Sequence, residues 1–73
     1  MNTVFIENGL AIEIHYFNDN PKQMMVYLPD HQKTYFVSPE DYDRQLRIMS
    51  CKWIDEVEMA IHKFLNQKEI ENA

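Results

Sequence analysis

The spacing of apolar positions changes once along this chain, from steps of two to steps of three and four. Residues 3–7 (T-V-F-I-E) are β-branched and aromatic, as strands prefer. Asn8-Gly9 follows, a strong hairpin signal, and residues 10–17 (L-A-I-E-I-H-Y-F) alternate, with Leu10, Ile12, Ile14 and Tyr16 on one face. Residues 18–22 (N-D-N-P-K) read as a loop. Residues 23–28 (Q-M-M-V-Y-L) form a third strand, with Met24, Val26 and Leu28 on one side. After the turn at Pro29-Asp30-His31-Gln32, residues 33–37 (K-T-Y-F-V) form a fourth. From Ser38 the period becomes helical: Tyr42, Leu46, Met49, Trp53, Val57, Ala60 and Phe64 make a stripe that Ile54, Ile61 and Leu65 widen.

These patterns predict an α+β fold: an antiparallel sheet of about four short strands, followed by one long C-terminal amphipathic helix packed on one face. The strands fall within 3–37, the helix over 39–69 and a frayed tail at 70–73, in a single domain spanning 1–73. Ser38 is the expected N-cap, Pro39 the first helical residue, and Glu40 and Asp41 face the positive end of the dipole. A continuous helix of this span is roughly 48 Å long at 1.5 Å per residue, longer than the strands beneath it.

The first hairpin has two candidate registers. A two-residue turn pairs Glu7 with Leu10 and puts Phe5 beside Ile12, leaving Val4 and Ile6 to point away. A bulged three-residue loop pairs Ile6 with Leu10 and gathers Val4, Ile6, Leu10, Ile12 and Ile14 into one apolar face. Burial of five aliphatics together favours the bulge. Asn-Gly itself favours the tight turn. The face opposite the core then carries Phe5, Ala11, Glu13, His15 and Phe17, with Met25 or Tyr27 and Phe36 as further contributors, a surface suited to a partner or a second copy.

Composition narrows the function more than the fold. At 73 residues with 45% hydrophobic content, the chain has room for one modest core. A net charge of −5 argues against nucleic acid as the direct partner, because Arg44, Arg47, Lys52, Lys63 and Lys68 are interleaved with acids. No leader precedes the first strand and no apolar run is long enough for a bilayer, so a soluble, cytoplasmic protein is expected. The single cysteine, Cys51, fits a reducing compartment.

Candidate chemistry is sparse. His15, His31 and His62 fall on a strand, a turn and the helix without metal-ligand spacing, and Glu58 with His62 reads as a solvated side-chain pair. Neither Cys51, Ser50 nor Ser38 stands in a nucleophile motif, and no glycine loop for phosphate is present. The reading is non-enzymatic, with neither metal nor cofactor. Asp41, Asp43, Asp55 and Glu56 form the acidic positions best placed to steer a basic protein partner, although dipole stabilisation and a wet helix face account for them too. Trp53 reads as core. The expected partner-binding residues are therefore Phe5, Glu13, His15, Phe17, Asp41, Asp43, Asp55 and Glu56.

In its overall length, its strand-rich front with the Glu7-Asn8-Gly9 turn and its helical back half, the chain resembles the small proteins with which bacteriophages seize a host machine. Among them it is similar to the transcription regulators, known from Xanthomonas phage, that bind bacterial RNA polymerase. That resemblance implies binding to the largest polymerase subunits, inhibition of initiation by weakened sigma-factor contacts, and antitermination. Phage inhibitors of host nucleases share the same general appearance. A different class, a homodimeric assembly adaptor, would use the near-heptad stripe from Tyr42 to Phe64 as a helix seam. A monomer is the expectation, because the same stripe serves as sheet-facing core.

Overall fold

A computed structural model of the protein describes residues 2–72, with side chains for residues 2–67. Four strands, β1 (Asn2–Glu7), β2 (Leu10–Tyr16), β3 (Met24–Leu28) and β4 (Lys33–Val37), form an antiparallel sheet in the order β1-β2-β3-β4. Two helices follow, α1 (Tyr42–Ile48) and α2 (Ile54–Asn72). The C-terminal α2 packs across β1 and β2, and α1 lies beside β4. This is the expected α+β layer, except that the helical half is two helices and not one. The tail expected to fray, 70–73, lies outside the residues whose side chains are described.

The first hairpin adopts the tight turn. Asn8 and Gly9 both take left-handed backbone angles, φ 50° and 79°, and β1 pairs with β2 as Glu7–Leu10, Ile6–Ala11 and Phe5–Ile12. Two consecutive residues at positive φ make a type I′ turn, whose twist matches that of the strands it joins. The bulged register expected from the aliphatic count is therefore not formed. Phe5, expected on the open face, lies on the core side, where it packs against the buried cluster. Val4 and Ile6 take the outward positions and are 60% and 64% exposed.

The core lies between the sheet and α2. Leu10, Ile12 and Ile14 of β2, Met24, Val26 and Leu28 of β3, and Val37 of β4 meet Leu46 of α1 and Val57, Ala60, Ile61 and Phe64 of α2, all buried. The Tyr16 and Phe64 rings pack with centroids 6.1 Å apart. The near-heptad stripe is consumed here: Leu46, Val57, Ala60 and Phe64 are all within this core.

The helical half breaks between Ile48 and Ile54 through a Schellman motif. Ser50 sits at φ 55°; its N–H donates to the Arg47 carbonyl (3.1 Å), and the Cys51 N–H reaches back to the Leu46 carbonyl (2.9 Å). Both side chains at the ends of that second bond, Cys51 and Leu46, belong to the buried core. A new helical turn then opens as the Val57 N–H donates to the Trp53 carbonyl, 2.9 Å. One helix of 48 Å would overrun a body measuring 33 × 24 × 18 Å, and the break folds the chain back over its own sheet.

The N-terminus of α1 also departs from expectation. Ser38 is not the cap. Its N–H donates to Gln45 Oε1 at 2.7 Å, and its carbonyl accepts from the Asp41 N–H at 3.3 Å, so residues 38–41 form a turn ahead of the helix. Asp41 holds the cap position without a side-chain capping bond.

Candidate functional site

Both helices lie on one side of the sheet, which leaves the other side of all four strands open. The pairing register arranges that open face in rows. Asn2, His15, Met25 and Phe36 form one row across the sheet; Val4, Glu13, Tyr27 and Thr34 form the next; Ile6 and Ala11 continue toward the hairpin turn. Alternation along each strand accounts for this, because every neighbour of these residues faces the core. Phe36 is 53% exposed, and Ala11, Met25 and Tyr27 are half-buried. The outcome is a sheet face with apolar side chains on β1 and on β3–β4, of the kind that proteins use for contact with other proteins.

At its centre sits one polar pair. His15 Nε2 lies 3.1 Å from Glu13 Oε1, two residues apart on β2 and both half-buried. An imidazole and a carboxylate bonded to each other between aromatic and aliphatic neighbours give this face a specific donor and acceptor. Glu13 and His15 thus stand where the alternation of β2 predicts. Phe17 lies just past the end of β2, 43% exposed, with its carbonyl accepting from the Asn20 N–H at 3.1 Å.

The acidic candidates fall on the helical side of the molecule, across the sheet from Glu13 and His15. Asp41 accepts a hydrogen bond from Arg44 Nε at 2.9 Å. Asp43 accepts from Arg47 Nε at 3.2 Å, and its carboxyl is electrostatically coupled to that of Glu58 on the next helix. The Glu58 carboxyl, then Arg47, holds Asp43 below its ordinary range; Asp43 and partial burial push Glu58 above its own. Asp55 is exposed in the first turn of α2. Glu56 lines a separate recess of about 270 Å³ at the tips of the β1–β2 and β3–β4 hairpins, where His31 stacks on Trp53 with centroids 4.2 Å apart. The eight expected binding residues therefore divide: Glu13 and His15 on the open face, Phe17 at its margin, Phe5 on the core side, and the four acids on the helical layer.

Two further groups complete the chemistry. The Tyr35 phenol on the core side of β4 is pushed up to about 12 by burial first and then by the neighbouring Cys51 thiol. A recess of about 420 Å³ at the other end of the molecule has Tyr16 and Leu65 in its walls and Lys22 and Glu40 at its rim. Among the described residues no three of His, Cys, Asp and Glu gather closely enough to hold a metal ion, and no helix is long and apolar enough to cross a membrane.

No protein family, curated protein or solved structure matches the chain. The site must therefore be read from its own chemistry. Val4 and Ile6, absent from the expected site, are its most exposed apolar members on β1, and the signal for them was the Asn8-Gly9 turn.

Proposed function

We propose that the protein is a non-enzymatic, protein-binding regulator that works by surface contact, with the open sheet face as its docking surface. The observation that carries this reading is the apolar array of Val4, Ile6, Met25, Tyr27 and Phe36 around the Glu13–His15 pair, left uncovered by both helices. The acidic helical layer adds long-range attraction toward a basic partner without competing for the same surface. The likeness to small phage transcription regulators supports bacterial RNA polymerase as the target and the bacterial cytoplasm as the place of action. In that reading, occupation of a polymerase surface shifts the enzyme away from its initiating state through differential affinity.

The test is capture from bacterial lysate with the tagged protein, read by mass spectrometry, followed by direct binding to purified RNA polymerase. Polymerase subunits as the dominant species, lost with Phe36→Asp or Tyr27→Asp, are the expected result. Capture that survives both substitutions would remove the sheet face from the interface. Dominant recovery of a nuclease would redirect the target to that class while keeping the binding reading.

A further inference from the structure

We propose that β1 is a self-pairing edge: two copies of the chain join antiparallel, β1 against β1, about a two-fold axis at Val4. The tight turn fixes which backbone groups β2 consumes. Glu7 and Leu10 flank a two-residue turn and so exchange both of their hydrogen bonds; Phe5 with Ile12 and Thr3 with Ile14 are the next bonded pairs. The N–H and C=O groups of Asn2, Val4 and Ile6 consequently point away from β2, and β1 is an outer strand of the sheet.

A row of outward backbone groups on a regular strand is a template for another strand, and proteins usually blunt it with Pro, Lys, a bulge or an inward charge. The segment N-T-V-F-I-E has no Pro, Lys or Arg, and its register with β2 is unbroken by a bulge. Two of its three exposed side chains, Val4 and Ile6, are β-branched. The opposite outer strand, β4, starts on Lys33 and has α1 beside it.

A second copy is the occupant that these features fit. With the axis at Val4, the two Val4 residues lie opposite each other and each Ile6 faces the other copy's Asn2, so the outward groups of both strands pair without a gap. Charge does not oppose the seam: the one ionised residue of β1, Glu7, is bound by Lys63 of its own chain at 2.8 Å. The product is an eight-stranded sheet whose open faces run together into one surface. This inference goes beyond the target proposed above and holds or fails without it.

Sedimentation equilibrium from low micromolar to near-millimolar protein tests the pairing, with NMR amide exchange as the local readout. The expected result is a concentration-dependent dimer in which the Val4 and Ile6 amides become protected as it forms. Two copies of charge −5 repel, so added salt should strengthen this dimer, whereas salt weakens capture of a basic partner. Val4→Pro deletes an outward N–H that β2 does not use, and should abolish the dimer while the thermal transition persists. Val4→Lys keeps the backbone donor but sets like charges face to face, and should do the same if the proline variant fails to fold. A monomer at every concentration would overturn the proposal. So would a dimer that survives Val4→Lys with the Val4 amide still exchanging, since another surface would then hold it. Protection of those amides only on addition of a different protein would assign the edge to a partner's strand instead.

Discussion

Ser50 carries a conflict between residue and backbone. Its φ of 55° is a conformation that costs an L-residue roughly 1–2 kcal/mol, and helices that end in this way usually place glycine there. Ser50→Gly should therefore raise stability by about 1 kcal/mol, read as a shift of the urea midpoint at unchanged slope. Glu58 supplies the second residue-level prediction. Its folded carboxyl titrates above the ordinary 4.5, so its contribution is present at pH values below that figure and is lost as pH rises through the folded value. Asp43 has the opposite sign: it stabilises above its ordinary 3.8, and that contribution is lost as pH falls through its lowered value. Glu58→Gln should then raise the melting temperature at neutral pH, and the gap from the natural chain should close as pH is lowered toward 4.5. A gap that is independent of pH would mean that the two carboxyls are not coupled.

At the scale of elements, the sequence revealed what local period controls and concealed what a single residue of offset controls. Strict alternation in β2 and β3 located both strands and put Glu13 and His15 on the open face, where they are found. The register of β1 was less legible because the two candidates differ by one position, and aliphatic burial outweighed turn geometry in the choice. The backbone decided otherwise, moving Phe5 inward and Val4 and Ile6 outward. The helix break was hidden for a related reason. Leu46, Val57, Ala60, Ile61 and Phe64 keep helical spacing across it, and the motif that stops α1 uses Ser50 and Cys51 in place of the glycine that would have signalled it. Because Phe64 is 1% exposed in the layer between α2 and the sheet, Phe64→Ala should cost about 3–5 kcal/mol in denaturant unfolding. For a chain this small, that is enough to leave it largely unfolded at 37 °C.

For the whole molecule, the two layers separate two jobs. One sheet face is committed to the core, and the other is left uncovered by the helices, with aromatic and aliphatic side chains among its members. Phe36→Asp should consequently change stability by less than about 0.5 kcal/mol, as surface substitutions do, while removing capture of the partner. An equal loss of both would place Phe36 in the structural half of the molecule. The acids on the helical layer belong to neither surface. Charge reversal at Asp55 and Glu56 is expected to slow association and flatten its salt dependence, with little effect on the dissociation rate.

The meander order of the sheet also has a kinetic consequence. Each strand pairs with its neighbour in sequence, and the Glu7–Lys63 ion pair joins residues 56 positions apart. Local pairings close cheaply and early, whereas the docking of α2 on β1 must bring distant parts of the chain together. During synthesis the hairpins emerge before α2 and wait, with the future core face wet, for that helix to leave the ribosome. Stopped-flow measurements should then find that Gly9→Ala, at φ 79°, chiefly slows folding, and that Phe64→Ala chiefly speeds unfolding. In a nascent chain, the interval before α2 arrives is when an unblocked β1 is most exposed to the β1 of a neighbouring ribosome's product.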